Sequence, residues 1–198
     1  MGKYCMTTTP FYVPSQIAQV TNFNSVTNQP SIDWQHSELA INTNSYAVTK
    51  SGLYTISGLW MEKFRSETSE LWCTGLRIPV QEGTISGIEV QLNVQRVARV
   101  QDLVIQLTLG GELIGENRAS DINPVQSNMY TGDYDLTPIP INDYNIYGSP
   151  TDMWGTELTT DDISDETFGV VISFQSNSVM PHRDLVYVDQ LAVRVTYA

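Results

Sequence analysis

The groups in this sequence that could do chemistry are few: His36 and His182, Cys5 and Cys73, and the carboxylate pairs Asp133/Asp135, Asp161/Asp162 and Asp165/Glu166. A zinc site needs histidine and cysteine ligands at helix or knuckle spacing. Neither histidine belongs to an H-x-x-x-H or H-E-x-x-H arrangement, and no C-x-x-C pair exists. A nucleophilic thiol needs a base and an electropositive setting; Cys73, between Trp72 and Thr74 in a strand-like run, reads as a small core residue. The sequence has no G-x-S-x-G elbow and no G-x-x-x-x-G-K-[ST] phosphate loop. Paired carboxylates serve a glycosidase only if the fold opposes them across a substrate, which spacing along the chain does not encode. Calcium is the one cofactor weighed, at the stretch TGDYDLT, although a full D-x-[DN]-x-[DN]-G loop is missing. The expectation is a protein that is not an enzyme and needs no cofactor.

Two other concentrations of functional groups stand out. The stretch YGSPTDMWGTELTTDDI gathers Tyr147, Gly148, Asp152, Trp154 and Gly155 ahead of an alternating apolar run. It is readable as a ligand loop, a metal loop or a folded corner, and its place in the chain favours a corner in which Trp154 caps one end of the core. Asp189 interrupts the apolar side of the last alternating run, where burying a lone charge is costly. It is expected to bond backbone in an adjacent loop or to be turned outward by a bulge, the alternative being a ligand-binding carboxylate. SNMYTGDYDL and NDYNIYGSP, with Tyr130, Asp133, Tyr134, Asp135 and Tyr144, are the candidate ligand loops; packing is their plainer reading.

The elements that must position these groups are strands. From Thr84 to Val94, Ile88, Val90, Leu92 and Val94 alternate with Glu89, Gln91 and Asn93, the period-two pattern of a half-buried strand. Leu103, Ile105, Leu107 and Leu109 repeat it, and LTLGGELIG reads as a hairpin because Gly110-Gly111 supplies the positive φ of tight primed turns. Phe168, Val170, Ile172 and Phe174 form another set, and Leu185, Tyr187, Leu191, Val193, Val195 and Tyr197 the last. LAINTNSYAVT and LWCTGLRI are further strands. The one helical signal is a short turn at Thr159 or Thr160, with Asp161 and Asp162 in its first turn. With no crossover helices, the fold class is all-β: an antiparallel β-sandwich, jelly-roll or Ig-like, over residues 30–198.

Residues 1–29 read differently. Prolines, an Asn/Gln/Thr-rich stretch and the aromatics Tyr4, Phe11, Tyr12 and Phe23 describe an extended N-terminal arm. That many aromatics exceed what a free tail carries, so the arm is expected to be ordered on a surface, either a neighbouring subunit's or its own domain's.

Composition bounds the partners. Ten tyrosines and four tryptophans accompany a net charge of −12, which disfavours nucleic acid and anionic membranes, both of which need a basic footprint. No Lys or Arg occurs between Arg118 and Arg183, while ten carboxylates do; the plainer reading is an acidic face that aids solubility, the alternatives being cation binding or docking on a basic partner. The opening MGKYCMTTTPFYVPS has no apolar core of the secretory kind, and two distant cysteines make no disulfide framework, so folding in a reducing cytosol is expected.

In order, WQHSELAINTNSYA, LWCTGLRIPVQEGTISGIEVQLNV, VQDLVIQLTLGGELIGENRA, YGSPTDMWGTELTTDDISDETFGVVISF and VYVDQLAVRVTY resemble a β-sandwich module of tailed-bacteriophage virion structural proteins. The resemblance spans residues 31–198; the arm lies outside it, and SGLYTISGLWMEKFRSETSE is longer than its pattern. It implies a non-enzymatic virion component made in the host cytoplasm: an accessory (decoration or cement) protein of the head, or a neck or tail component. Its partners would be capsid, neck or tail proteins and copies of itself, as a trimer or another ring. The alternative is a receptor-binding module of a fibre or tail that recognises host glycan.

Overall fold

Alternating apolar residues, broken by glycine, proline and asparagine, decide which elements form. The computed structural model describes residues 6–21, 47–50, 66–97, 100–119, 144–176 and 185–198. In chain order its strands are β1 (Thr7–Thr8), β2 (Gln16–Val20), β3 (Ala47–Lys50), β4 (Ser66–Glu67), β5 (Glu70–Thr74), β6 (Ile85–Val97), β7 (Val100–Leu109), β8 (Glu112–Ile114), β9 (Tyr144–Gly148), β10 (Gly169–Ser176) and β11 (Leu185–Tyr197). One helical turn, α1 (Thr160–Ser164), precedes β10. All pairings are antiparallel.

Two sheets result. The first runs β1–β11–β6–β9, with β3 on the same edge of β11 as β1; the second runs β2–β5–β10–β7–β8, with β4 beside β5 along β10. They pack face to face as an all-β sandwich. Ile88, Val90 and Leu92 of β6 and Leu191, Val193 and Val195 of β11 meet Leu71 and Cys73 of β5, Ile105 and Leu107 of β7, and Val170, Ile172 and Phe174 of β10 in one core. Among the described residues, no helix is long and apolar enough to cross a membrane.

Several local signals act as their chemistry requires. Gly110 (φ 63°) and Gly111 (φ 82°) turn β7 into β8. The Thr159 hydroxyl accepts from the Asp162 amide while the Asp162 carboxylate accepts from the Thr159 amide at 2.8 Å, a capping box that starts α1. At its other end Asp165 accepts from the hydroxyl and amide of Thr167, which hold its carboxyl below the usual carboxylate range.

Two strands depart from simple alternation. In β11 the residues that join the core cluster are Val186 and Val188, then Leu191, Val193, Val195 and Tyr197, rather than one odd-numbered series throughout. The register with β6 slips between Val188 and Gln190, and this one-residue irregularity at Asp189 moves the apolar series from even to odd positions. In β7 the register with β10 shifts between Asp102 and Val104. Val100 and Asp102 are therefore buried ahead of Ile105 and Leu107, and Leu103 drops out of the core set.

Residues 6–21 lie along their own domain. β1 pairs with β11, Tyr12 bridges Val193 through bonds of 2.7 and 2.8 Å, and β2 pairs with β5. Between them the Ser15 amide donates to the Thr74 carbonyl and its hydroxyl to the Gly75 carbonyl at 2.8 Å. The segment thus straps the edge of one sheet to the edge of the other. Tyr4, Phe23, the expected boundary near residue 30 and most of LAINTNSYAVT lie outside the described residues.

Cys73 is fully buried, and desolvation pushes its thiol up from 9.0 to about 12. The neutral thiol's contribution to stability is complete below pH 9.0 and fades as pH rises toward about 12. In a Cys5→Ser variant, Cys73 is expected to react with a thiol reagent only at the rate of global unfolding; rapid stoichiometric labelling of the native protein would contradict its burial.

Candidate functional site

The corner stretch builds a joint that ties the two sheets and the chain between them. Tyr147 points inward from β9, and its hydroxyl donates to Asp102 Oδ2 of β7 at 2.6 Å, a buried hydrogen bond from one sheet to the other. Gly148 follows at φ 79°, and a Cβ there would run into the Ile88 carbonyl oxygen and crowd the Trp154 indole nitrogen at 2.7 Å. Only glycine admits that approach.

From there the chain folds back on β6. The Ile88 amide donates to the Asp152 carbonyl at 2.9 Å, and the Ile88 carbonyl accepts from Trp154 Nε1 at 2.9 Å. Asp152 Oδ1 accepts both the Trp154 amide and Arg118 Nη2, each at 2.8 Å. Arg118 also pairs with Glu116 at 3.1 Å and lies over the indole at 6.0 Å from its centroid. Trp154 is fully buried at φ 57°, a left-handed conformation unusual for a bulky residue, and Gly155 continues it at φ 66°.

The segment after β8 completes the joint. Glu116 N donates to the Trp154 carbonyl at 2.7 Å. Asn117 acts as a one-residue substitute strand beside β7: its Oδ1 accepts from the Ile105 amide at 3.0 Å and its Nδ2 donates to the Leu103 carbonyl at 2.8 Å. Those are the backbone groups that β8, ending at Ile114 opposite Leu107, does not reach.

The structure therefore brings together Tyr147, Gly148, Asp152, Trp154 and Gly155. Asp189 is placed elsewhere, at the register slip of β11 opposite Asn93 and Val94. Phe11 lies 4.6 Å from the Arg194 guanidinium, and Tyr12 packs on the core. Tyr144 begins β9 opposite Asn93, while Tyr130, Asp133, Tyr134 and Asp135, with the calcium candidate TGDYDLT, lie outside the described residues. Among the described residues no group of three or more His, Cys, Asp or Glu could hold a metal ion.

Asp102, Arg118 and Asn117 belong to this joint but were not singled out by sequence. Their signal was a carboxylate inside an apolar strand and the GENRA run just after the hairpin. The carboxylates of Asp102 and Asp152, the Asn117 amide and the Trp154 indole each find a partner within the joint, and the arrangement holds the fold. No family model, curated protein or solved structure matches the chain.

Proposed function

We propose that this chain is a non-enzymatic structural protein of a tailed-bacteriophage virion, either an accessory of the head or a component of neck or tail. The observation that carries the reading is the convergence of the motif residues. Asp102, Gly115, Asn117, Tyr147, Gly148, Asp152, Trp154 and Gly155 come from runs of the chain that resemble the virion module, and they adjoin in space. A resemblance whose residues form one fold-holding joint is that of a scaffold, and it asks nothing of a catalytic site.

Assembly would use the strap. Residues 6–21 contain no charged side chain in a protein of net charge −12, and they expose Met6, Val13 and Val20, at 53%, 42% and 40%. An uncharged apolar strip is where association costs least electrostatically. A variant with Met6, Val13 and Val20 all replaced by aspartate keeps the main-chain pairing of the strap and is expected to fold but fail to load onto particles, as read by mass spectrometry of purified virions. Normal loading would remove the strap from the assembly surface, and absence of the wild-type chain from particles would remove the proposal itself.

A further inference from the structure

Among the described residues, two that are not glycine hold a left-handed backbone: Trp154 at φ 57° and Arg77 at φ 49°. The strain at Trp154 is offset inside the fold, where its indole is fully buried and bonded to the Ile88 carbonyl. The strain at Arg77 is not. Arg77 lies in the loop from β5 to β6, between Leu76 and Ile78, whose burial fixes the turn. A turn alone would be served by glycine or asparagine, which enter this conformation with little strain. The arginine side chain meets Glu166 at 3.4 Å, but the two groups are 68% and 66% exposed, so water and ions screen the pair. A cation held strained and solvated in this way is presented to something outside the domain.

The loop presents more than a charge. Pro79 is exposed, and Val80, at 57%, is more exposed than any other large apolar side chain described. Arg118 and Arg194, the other arginines whose side chains are described, are committed to Asp152 and Glu89 at 2.8 and 2.7 Å. Arg77 and Val80, with the buried Ile78 anchoring the loop between them, form an arginine and an apolar side chain on a fixed support, the composition of an interface anchor. Its complement is a carboxylate beside an exposed apolar side chain.

A second copy of this chain offers that complement. On the edge strand β8, Leu113 is 41% exposed and the exposed carboxylate of Glu112 is its chain neighbour. Glu116 is already paired with Arg118 at 3.1 Å, which leaves Glu112 as the acceptor. Contact of one loop with the same loop is disfavoured, because it would bring together both copies of Glu82, in that loop, and of Glu166 and Asp165, beside Arg77. We propose that copies of this chain associate head to tail, the Arg77–Val80 loop of one seated on the β8 edge of the next, with Arg77 pairing to Glu112 and Val80 packing on Leu113. Two different patches in contact make a heterologous interface, which closes into a ring or continues as a filament. The contact uses none of residues 6–21, and the inference stands apart from the virion reading.

Sedimentation velocity of the full chain tests it, from about 10 μM to about 1 mM, the range of weak contacts smaller than a standard interface. The wild type should grow beyond a dimer as concentration rises. Val80→Asp and Leu113→Asp, both at exposed positions, should each remain monomeric with the melting temperature unchanged. Their equimolar mixture should form a dimer that grows no further, because one intact loop meets one intact edge. Arg77→Gly should melt above the wild type, since glycine relieves the strain, yet associate about tenfold more weakly. The variant with Met6, Val13 and Val20 replaced by aspartate should associate as the wild type does. The proposal is overturned if the wild type stays monomeric or stops at a dimer, or if Val80→Asp or Leu113→Asp associates normally. It is equally overturned if their mixture stays monomeric or grows past a dimer, if Arg77→Gly melts below the wild type or associates as well, or if the triple aspartate variant stays monomeric.

Discussion

Replacing Trp154 by alanine is expected to cost about 3–5 kcal/mol of folding stability, the range for truncating a fully buried large aromatic. The indole fills one end of the core with no exposed surface, and its Nε1 satisfies the Ile88 carbonyl. Alanine leaves a cavity and an unpaired carbonyl while keeping a side chain at φ 57°. Glycine leaves the same cavity but occupies that backbone conformation freely, which is worth about 1 kcal/mol. Trp154→Gly should therefore be the less damaged of the two, a reversal of the usual order at a strand or helix position. Chemical denaturation of both variants decides the matter; if alanine is the more stable, the left-handed conformation at this residue is wrong.

How much of this was legible before the structure depended on how local the signal was. The β6 series from Ile88 to Val94, the Gly110-Gly111 hairpin and the Thr159 cap each follow from residues within a few positions of one another. The bulges did not follow. A strand that reads Leu185, Tyr187, Leu191 in one phase is re-phased by one extra residue at Asp189, and only the partner strand reveals where that residue goes. The same slip at Asp102 turned what reads as a polar position into an inward carboxylate that receives Tyr147 from 45 residues away. The glycines and tryptophan of the corner announced a fold-back, yet nothing local tied it to its receivers Ile88, Asp102 and Arg118, since cross-sheet bonds have no sequence period. The strap was legible as an extended aromatic segment. Its docking was not, because edge pairing runs through the main chain and selects few side chains.

The second large effect concerns what the strap rests on. Arg194 donates to both oxygens of Glu89, at 2.7 and 2.8 Å, and Phe11 stacks on its guanidinium. Its hydrogen bonds to the Glu89 carboxylate hold that guanidinium even more firmly charged than usual. The partners are unequally placed: the Glu89 side chain is 7% exposed and that of Arg194 32%. Removing the arginine strands a buried carboxylate, whereas removing the charge of Glu89 leaves a cation that can turn to water. Arg194→Ala is therefore expected to cost about 2–3 kcal/mol and Glu89→Gln about 1 kcal/mol. The double variant should be more stable than Arg194→Ala alone, because the second change removes the stranded charge. In Arg194→Ala the amides of Thr9 and Tyr12, which donate to Val195 and Val193 at 2.9 and 2.7 Å, should exchange with solvent faster, since Phe11 has lost its support. Equal costs for the two single changes, or unchanged exchange at Thr9 and Tyr12, would mean that the ion pair neither feels its burial nor anchors the strap. The expected asymmetry also makes Arg194→Ala a route to loosening residues 6–21 without altering their sequence, so strap docking and particle loading can be measured on the same protein.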